Sequence, residues 1–456
     1  MKLLFIAIFI IVTSNCFSQN NWDTFGSGVT SGSIRCFYED TIDDVLIAGG
    51  AYKYIDGVLT NGLTVYNGVN WQKCHNLNIP LYGGLIRSII RYNNCLYVSG
   101  NYWFTWNNET IPYIAKWDGT NWLSLPFTIN STSNVITDMR IINNKLFFLA
   151  ATDTIPGLKT NHIIIYDGQN YSAFDNLPPN YVQMLSDIAY YKGEYYISGT
   201  FGNSADTVHD ILKYNGTNWA TVGGGIKGSG DIAKMLVYND ELVVAGDFFK
   251  SNGNASNNIM SWDGEKWNDF IDLSGVNNDY NNFGAVRDMK VHDNKLYIGG
   301  VFSYANDVPC QRILVYDGNT FCSFGNEMYN NCGALGFYHD TLIIAGIDSI
   351  DHIDVNRIAK WTGGNNYDTC FIVQNIDNID SELSNFTVYP NPATNTINIK
   401  TNFNIKEYSI YNITGQKVQA QELKNNTINI SYLPMGIYLL QLHSKNRNNS
   451  IKLIKN

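Results

Sequence analysis

The residue types that most often carry chemistry are present but scattered. Histidine occurs at His75, His162, His209, His292, His339, His352 and His443. No two stand in the His-Glu-x-x-His spacing that sets a pair of imidazoles on one helical face for zinc. Cysteine occurs at Cys16, Cys36, Cys74, Cys95, Cys310, Cys322, Cys332 and Cys370, with no Cys-x-x-Cys pair to nucleate a zinc cluster. Gly-x-Ser-x-Gly, the phosphate-binding Gly-x-x-x-x-Gly-Lys loop and the Ser-x-Asp-x-Gly-x-Thr-Trp box are all absent. No catalytic residue, metal ligand or cofactor is therefore assigned, and the chain reads as non-enzymatic, although folding can still bring distant carboxylates together. Asp118, Asp167, Asp263 and Asp317 recur at equivalent places before glycine and read as turn formers rather than ligands. The densest candidate is the run Tyr102-Trp103-Phe104-Thr105-Trp106. Tyr102, Trp103 and Trp106 are the expected ligand-binding residues, because exposed aromatics stack on sugars or anchor partners. The competing reading continues Tyr102 and Phe104 as a strand into the core.

Composition limits what such residues can serve. Net charge is −10, with a pI near 5.1. That is not the basic footprint of a nucleic-acid binder, and it disfavours docking on anionic lipid. Thirty tyrosines and 39 glycines against 15% charged residues suit short strands joined by tight turns. Residues 1–18 read as a signal peptide: Lys2, an apolar run from Leu3 to Val12, then small and polar residues, with the cut near Ser18 or Gln19. Cys16 leaves a lipoprotein anchor as the alternative, which Asn15 disfavours. No transmembrane segment is expected elsewhere. Export leaves seven cysteines in a compartment that permits disulfides. The default is buried small hydrophobes with one or two bridges.

Internal repetition sets the architecture. An apolar run begins at Leu46, Leu96, Leu146, Tyr195, Leu242, Leu296 and Leu342, at intervals of 50, 50, 49, 47, 54 and 46 residues. Each is followed by an aromatic, a turn residue and glycine, as in Tyr66-Asn67-Gly68 and Trp262-Asp263-Gly264, and then by another aromatic such as Trp71 or Trp267. One more strand precedes each run. Each unit thus reads as four antiparallel strands, with a tight turn between the first two and between the last two. A single such unit cannot bury both faces, so the units must stack. The expected fold class is all-β: a seven-bladed β-propeller over residues 21–371, then a small β-sandwich. The orphan segment Asn21-Trp22-Asp23-Thr24-Phe25-Gly26 copies a fourth strand and is expected to close the last unit, in preference to Asn366–Cys370. Variable chemistry is expected where second strands connect to third, on loops such as Tyr102–Tyr113, because tight turns leave little room for side-chain arrays.

Units such as Asn258-Ile-Met-Ser-Trp-Asp-Gly-Glu-Lys-Trp267 resemble the kelch-related, galactose-oxidase-like propeller repeats of bacterial surface proteins and the repeats of fungal cortical polarity markers. The resemblance covers residues 21–371 and implies a fold more than a function. The Tyr, Cys and His constellation of a galactose-oxidase copper site has no counterpart here.

The text changes after Phe371. Residues 372–385 read as a polar linker, and residues 386–456 as short alternating strands of an immunoglobulin-like sandwich. The motifs are Tyr389-Pro390-Asn391-Pro392, a turn at Gly415, Leu433-Pro-Met-Gly436-Ile-Tyr438, and a basic end with Lys452 and Lys455. Their order resembles the type A sorting domain of type IX secretion. The resemblance implies two partners, the outer-membrane translocon and a sortase-like peptidase, and a protein secreted or held on the outer-membrane surface. Thr41, Thr154, Thr207, Thr341 and Ser349 lie in Asp-Ser/Thr-aliphatic triplets that resemble an O-glycosylation sequon of such bacteria. The leading expectation is a binding or adhesion module for extracellular glycan or protein. A polysaccharide-active enzyme with its site in the propeller funnel, and a structural scaffold, are the alternatives.

Overall fold

The computed structural model describes residues 21–456 apart from 78, 80–84, 126–135, 151–161, 175–181, 202–209, 229, 276–283, 307, 326, 372–385, 402–404, 406, 413–415, 424 and 444–447. The signal peptide and linker readings lie outside the described residues. Two compact units divide at residues 373 and 374.

The repeat marks become strand ends for local reasons. At each Asn/Asp-Gly turn the side-chain oxygen accepts two backbone N–H groups. Asp118 Oδ1 takes those of Thr120 and Asn121 at 2.8 Å, and Asp317 Oδ1 those of Asn319 and Thr320 at 2.9 and 2.7 Å. These N–H groups hold the Asp118 and Asp317 carboxyls below the usual carboxylate range. Where the preceding aromatic is tyrosine, its hydroxyl donates to the turn glycine carbonyl, as in Tyr66 to Gly68 and Tyr214 to Gly216 at 2.9 Å. In six of the seven sheets the turn between first and second strands is a pair of residues with positive φ, such as Asn93 (48°) and Asn94 (63°); the first sheet uses a four-residue turn, 41–44, with Asp44 at 53°. Asparagine tolerates that region well, and the resulting twist matches a hairpin.

Among the described residues of the first unit these strands form seven antiparallel sheets of four or five strands, beside one small three-stranded sheet of Leu273–Ser274, Tyr304–Ala305 and Val308–Pro309. The first strands of the seven are Val29–Asp40, Ile86–Tyr92, Ile136–Ile142, Val182–Tyr191, Asp231–Tyr238, Ala285–His292 and Met328–Tyr338. Each first strand packs on the next, and the seventh packs on the first. Seven apolar clusters follow the same cycle, each shared by consecutive sheets. The cluster joining the seventh sheet to the first unites Phe37, Leu46 and Trp71 with Ala334, Ile343 and Ile358. Tyrosine hydroxyls clasp neighbouring sheets as well: Tyr92 to Asn144 O (2.9 Å), Tyr191 to Asp240 O (2.7 Å), Tyr238 to Asn294 O (3.0 Å) and Tyr338 to Asp44 O (3.3 Å).

The seventh sheet takes its fourth strand from the N-terminus: Trp22–Thr24 pairs with Ile358–Trp361, with Trp22 opposite Trp361. The Trp22 indole is buried and donates to Phe324 O at 3.1 Å. Cys370–Phe371 instead joins the outer edge of the sixth sheet, where Cys370 is bridged to Cys322.

In the second unit, one sheet contains Phe386–Tyr389, Thr396–Thr401 and Thr427–Asn429. The other contains Lys417–Glu422, Glu407–Asn412, Gly436–His443 and Asn448–Lys455. The two share a core that includes Ile397, Ile410, Leu440 and Leu453.

Candidate functional site

Phe104 is fully buried, as strand alternation requires, while Trp103 on the opposite face is 58% exposed. Trp106 is half-buried and meets Trp117 edge-on at 6.0 Å; its indole nitrogen is shielded without an acceptor. The Tyr102 side chain lies outside the described residues. The expected loop Tyr102–Tyr113 is not a loop. Cys95–Trp106 and Glu109–Trp117 continue as a hairpin through the positive-φ pair Asn107-Asn108, with Trp103 opposite Pro112 and Trp106 opposite Glu109. The Asn-Asn turn chemistry that makes the other hairpins extends this strand pair too.

The first strands place charge at the centre of their cycle. In each of the first six sheets the ladder slips within the first strand, between Ile34 and Cys36, Ile86 and Ser88, Ile136 and Asp138, Leu185 and Asp187, Ile232 and Lys234, and Val286 and Asp288. A bulge re-aims the side chain that follows it. Several of these side chains reach the next sheet's backbone. Ser88 Oγ accepts the Met139 N–H (3.2 Å), Asp187 Oδ2 that of Met235 (2.8 Å), and Asp288 Oδ2 that of Leu335 (2.9 Å). Arg140 donates to Asp187 at 2.8 and 2.9 Å and lies 3.0 Å from Asp138; Lys234 lies 3.5 Å from Asp138. Burial disfavours the Asp138 charge, yet Arg140, Lys234, the Ser88 hydroxyl and the Met139 N–H outweigh it and bring its carboxyl down to about 2. Sequence reasoning passed over these residues. Their signal is the repeated aliphatic-x-Asp-aliphatic text of Ile136–Met139, Leu185–Ile188 and Val286–Met289.

Two further groups flank this centre. Arg35, Arg87 and Arg287 occupy the bulges themselves, and the Arg87 Nε is shielded without an acceptor. Asp210, beside Asp231 of the next sheet, is raised to about 7, chiefly by burial and then by the Asp231 charge.

His75 stacks on Trp117 at 4.4 Å, and burial lowers its pKa. His292 and His339 lie on neighbouring sheets, and each pairs with an aspartate, Asp340 (3.0 Å) and Asp44 (2.6 Å) respectively. His209 lies outside the described residues. Among the described residues no three His, Cys, Asp or Glu side chains gather as a metal site. Burial pushes the Cys36 and Cys310 thiols up to about 12, leaving them protonated and inert. Of the sequon residues, Thr41 is exposed, Thr341 and Ser349 are half-buried, and Thr154 and Thr207 lie outside the described residues.

In the second unit, Asn391 joins the first motif to the last strand. Its Nδ2 donates to Lys452 O at 2.7 Å, and its Oδ1 accepts the Ile454 N–H at 2.8 Å. Pro390 and Pro392 are exposed, and Tyr389 is about half exposed. Gly436 opens the strand that carries Tyr438, which is buried and donates to Pro434 O at 2.9 Å. Lys452 is exposed, and Lys455 is buried against the terminal Asn456 carbonyl. Gly415 lies outside the described residues. Motifs separated by some 60 residues thus form one edge.

Residues 387–456 match the secretion system C-terminal sorting domain. This is the type IX sorting tail, so the protein is secreted or attached to the outer-membrane surface. Among the described residues no helix is long and apolar enough to cross a membrane. No curated protein matches the chain. Solved structures similar to it include the extracellular domain of a one-component system, BT4673, of B. thetaiotaomicron (12% identity, TM-score 0.46). Another is PorZ, a surface component of the type IX secretion system of Porphyromonas gingivalis (13% identity, TM-score 0.44). In both cases 95% of this chain is covered but only 60% of the other.

Proposed function

We propose that the first unit is a seven-bladed, kelch-related propeller that acts as a binding or adhesion module for extracellular glycan or protein. The second unit delivers it by engaging the type IX translocon and a sortase-like peptidase. The observation that carries the reading is Trp103. Its indole is held 58% exposed on the extended hairpin Cys95–Trp117, where its flat apolar face is well placed to be covered by a ligand. The cyclic packing of seven four-stranded units supports the propeller assignment. A glycan and matrix-protein array should identify the ligand, and Trp103→Ala should then weaken binding by ~2 kcal/mol. A folded Trp103→Ala variant that binds like the parent removes the hairpin from the site.

A second reading, a polysaccharide-active enzyme, is favoured by one observation. Asp210, raised to about 7 beside Asp231, has the form of a carboxyl that can hold a proton near neutral pH next to a second carboxyl. Sugar release from polysaccharides that is lost in Asp210→Asn would establish it. A face that binds no ligand would leave the scaffold reading.

A further inference from the structure

The N-terminal closure of the seventh sheet has a consequence on the tight-turn side. Trp22–Thr24 fills the fourth-strand position, so the chain leaving Trp361 has no edge of its own to occupy. It crosses instead to the sixth sheet, where Phe371 lies opposite Phe321 and Cys370 opposite Cys322, and the disulfide holds it there. The crossing segment is pinned along its length. The Trp361 indole donates to Gly364 O at 2.8 Å, the Asp368 N–H to Ser323 O at 3.1 Å, and the Ser323 N–H to Thr369 O at 2.9 Å. It walls a cavity of about 730 Å³ between the sixth and seventh sheets, within the ~300–1,000 Å³ range of small-molecule sites. The expectation that tight turns leave little room does not hold at this junction.

The lining combines aromatic side chains, Tyr297, Phe324, Trp361 and Tyr367, with polar and charged ones. Tyr367 of the crossing segment is parallel to Trp361 (8°, centroids 6.4 Å apart) and edge-on to Phe324 at 5.3 Å. Lys295 Nζ donates to Asn365 Oδ1 at 3.2 Å and lies 5.9 Å from the Tyr367 ring centre. Asp340 meets His292 at 3.0 Å and is otherwise 93% exposed. The lining carries Lys295, Lys360, His292 and His339 with Asp293 and Asp340; His292 pairs with Asp340, His339 with Asp44 and Lys360 with Asp23, so the lining favours neither a polyanion nor a polycation. What suits it is an uncharged molecule with an apolar face and many hydroxyls. A pyranose ring can lay its C–H face on Tyr367 while its hydroxyls donate to Asp340 and accept from Lys295, in charge-assisted hydrogen bonds.

We infer that this cleft is a binding site for a neutral saccharide, separate from the Trp103 face and independent of any ligand there. The test is titration of the full mature protein with short neutral gluco-, manno- and xylo-oligosaccharides, followed by calorimetry and by tryptophan fluorescence. Saturable binding is expected, weakened about tenfold or more by Tyr367→Ala and by Asp340→Asn. Asp340 is exposed, so its substitution tests the site without disturbing the core, and a thermal melt monitors Tyr367→Ala. Failure of all these saccharides to bind the parent overturns the inference, as does affinity unchanged in Asp340→Asn and in Lys295→Met. Binding that Trp103→Ala removes and the cleft variants retain also overturns it, while upholding the module proposed above.

Discussion

Asp187→Asn tests whether the carboxylates at the first-strand bulges hold consecutive sheets together. The native side chain is fully buried and accepts four N–H groups: Nε and Nη2 of Arg140 at 2.8 and 2.9 Å, and the backbone N–H groups of Ile188 and Met235, each at 2.8 Å. Asparagine keeps the shape but has one acceptor oxygen, so its amide nitrogen must face a donor. Removing one partner of a buried ion pair costs ~3–5 kcal/mol. Asp187 is buried but the Arg140 side chain is 32% exposed and keeps Asp138 at 3.0 Å, and both facts place the electrostatic loss at the low end of that range. An unsatisfied buried donor adds ~1–3 kcal/mol. The expected destabilisation is therefore ~4 kcal/mol, read by urea denaturation. All ten tryptophans lie between Trp22 and Trp361, so intrinsic fluorescence reports the first unit without interference from the second. Adding Arg140→Met to Asp187→Asn should cost less than the sum of the two single changes, because each disables the same pair. A loss below ~1 kcal/mol, or strict additivity, would refute the clasp.

Three other outcomes follow from the same packing. Asp138 is held at about 2, below its ordinary value of 3.8, so its contribution is fully present above pH 3.8 and is lost as pH falls through 2. The stability gap between parent and Asp138→Asn should shrink by ~2 kcal/mol over that window, and an unchanged gap would deny the charge network its role. Trp22→Ala should cost ~3–5 kcal/mol, since it opens a core cavity and orphans Phe324 O; a melt within error of the parent would mean that the N-terminal strand does not close the seventh sheet. Deleting residues 386–456 should leave the first unit in the periplasm, and normal surface display of the truncated chain would defeat the assignment of the tail as its export signal.

Much of the fold was legible because its determinants are local. The Asn-Gly and Asp-Gly turns need only a side-chain oxygen and a residue tolerant of positive φ, both written within four residues. Strand alternation separated Phe104 from Trp103 within a single pentapeptide. The Trp22 segment was recognisable because it carries the pattern of a fourth strand with no first strand before it. The tail motifs were equally plain as text, but their meeting at Asn391 was not.

Contacts between strands were decided only in three dimensions. The Asp187 carboxylate reaches the Met235 N–H across 48 residues, and Lys234 approaches Asp138 across 96. Such pairs depend on a bulge that shifts register by one position; the aliphatic-x-Asp-aliphatic text recurs at three of these slips, but it does not say which group on a remote strand each carboxylate meets. Likewise Cys322 and Cys370 could be paired only once the closing strand had taken the edge that Cys370 would otherwise have reached. The amino-acid sequence by itself determined the strands, their turns, the repeat and the export signal, because each is a property of neighbouring residues. The tertiary structure alone decided the central charge network and the cleft between the sixth and seventh sheets, because both arise where segments remote in sequence share one edge.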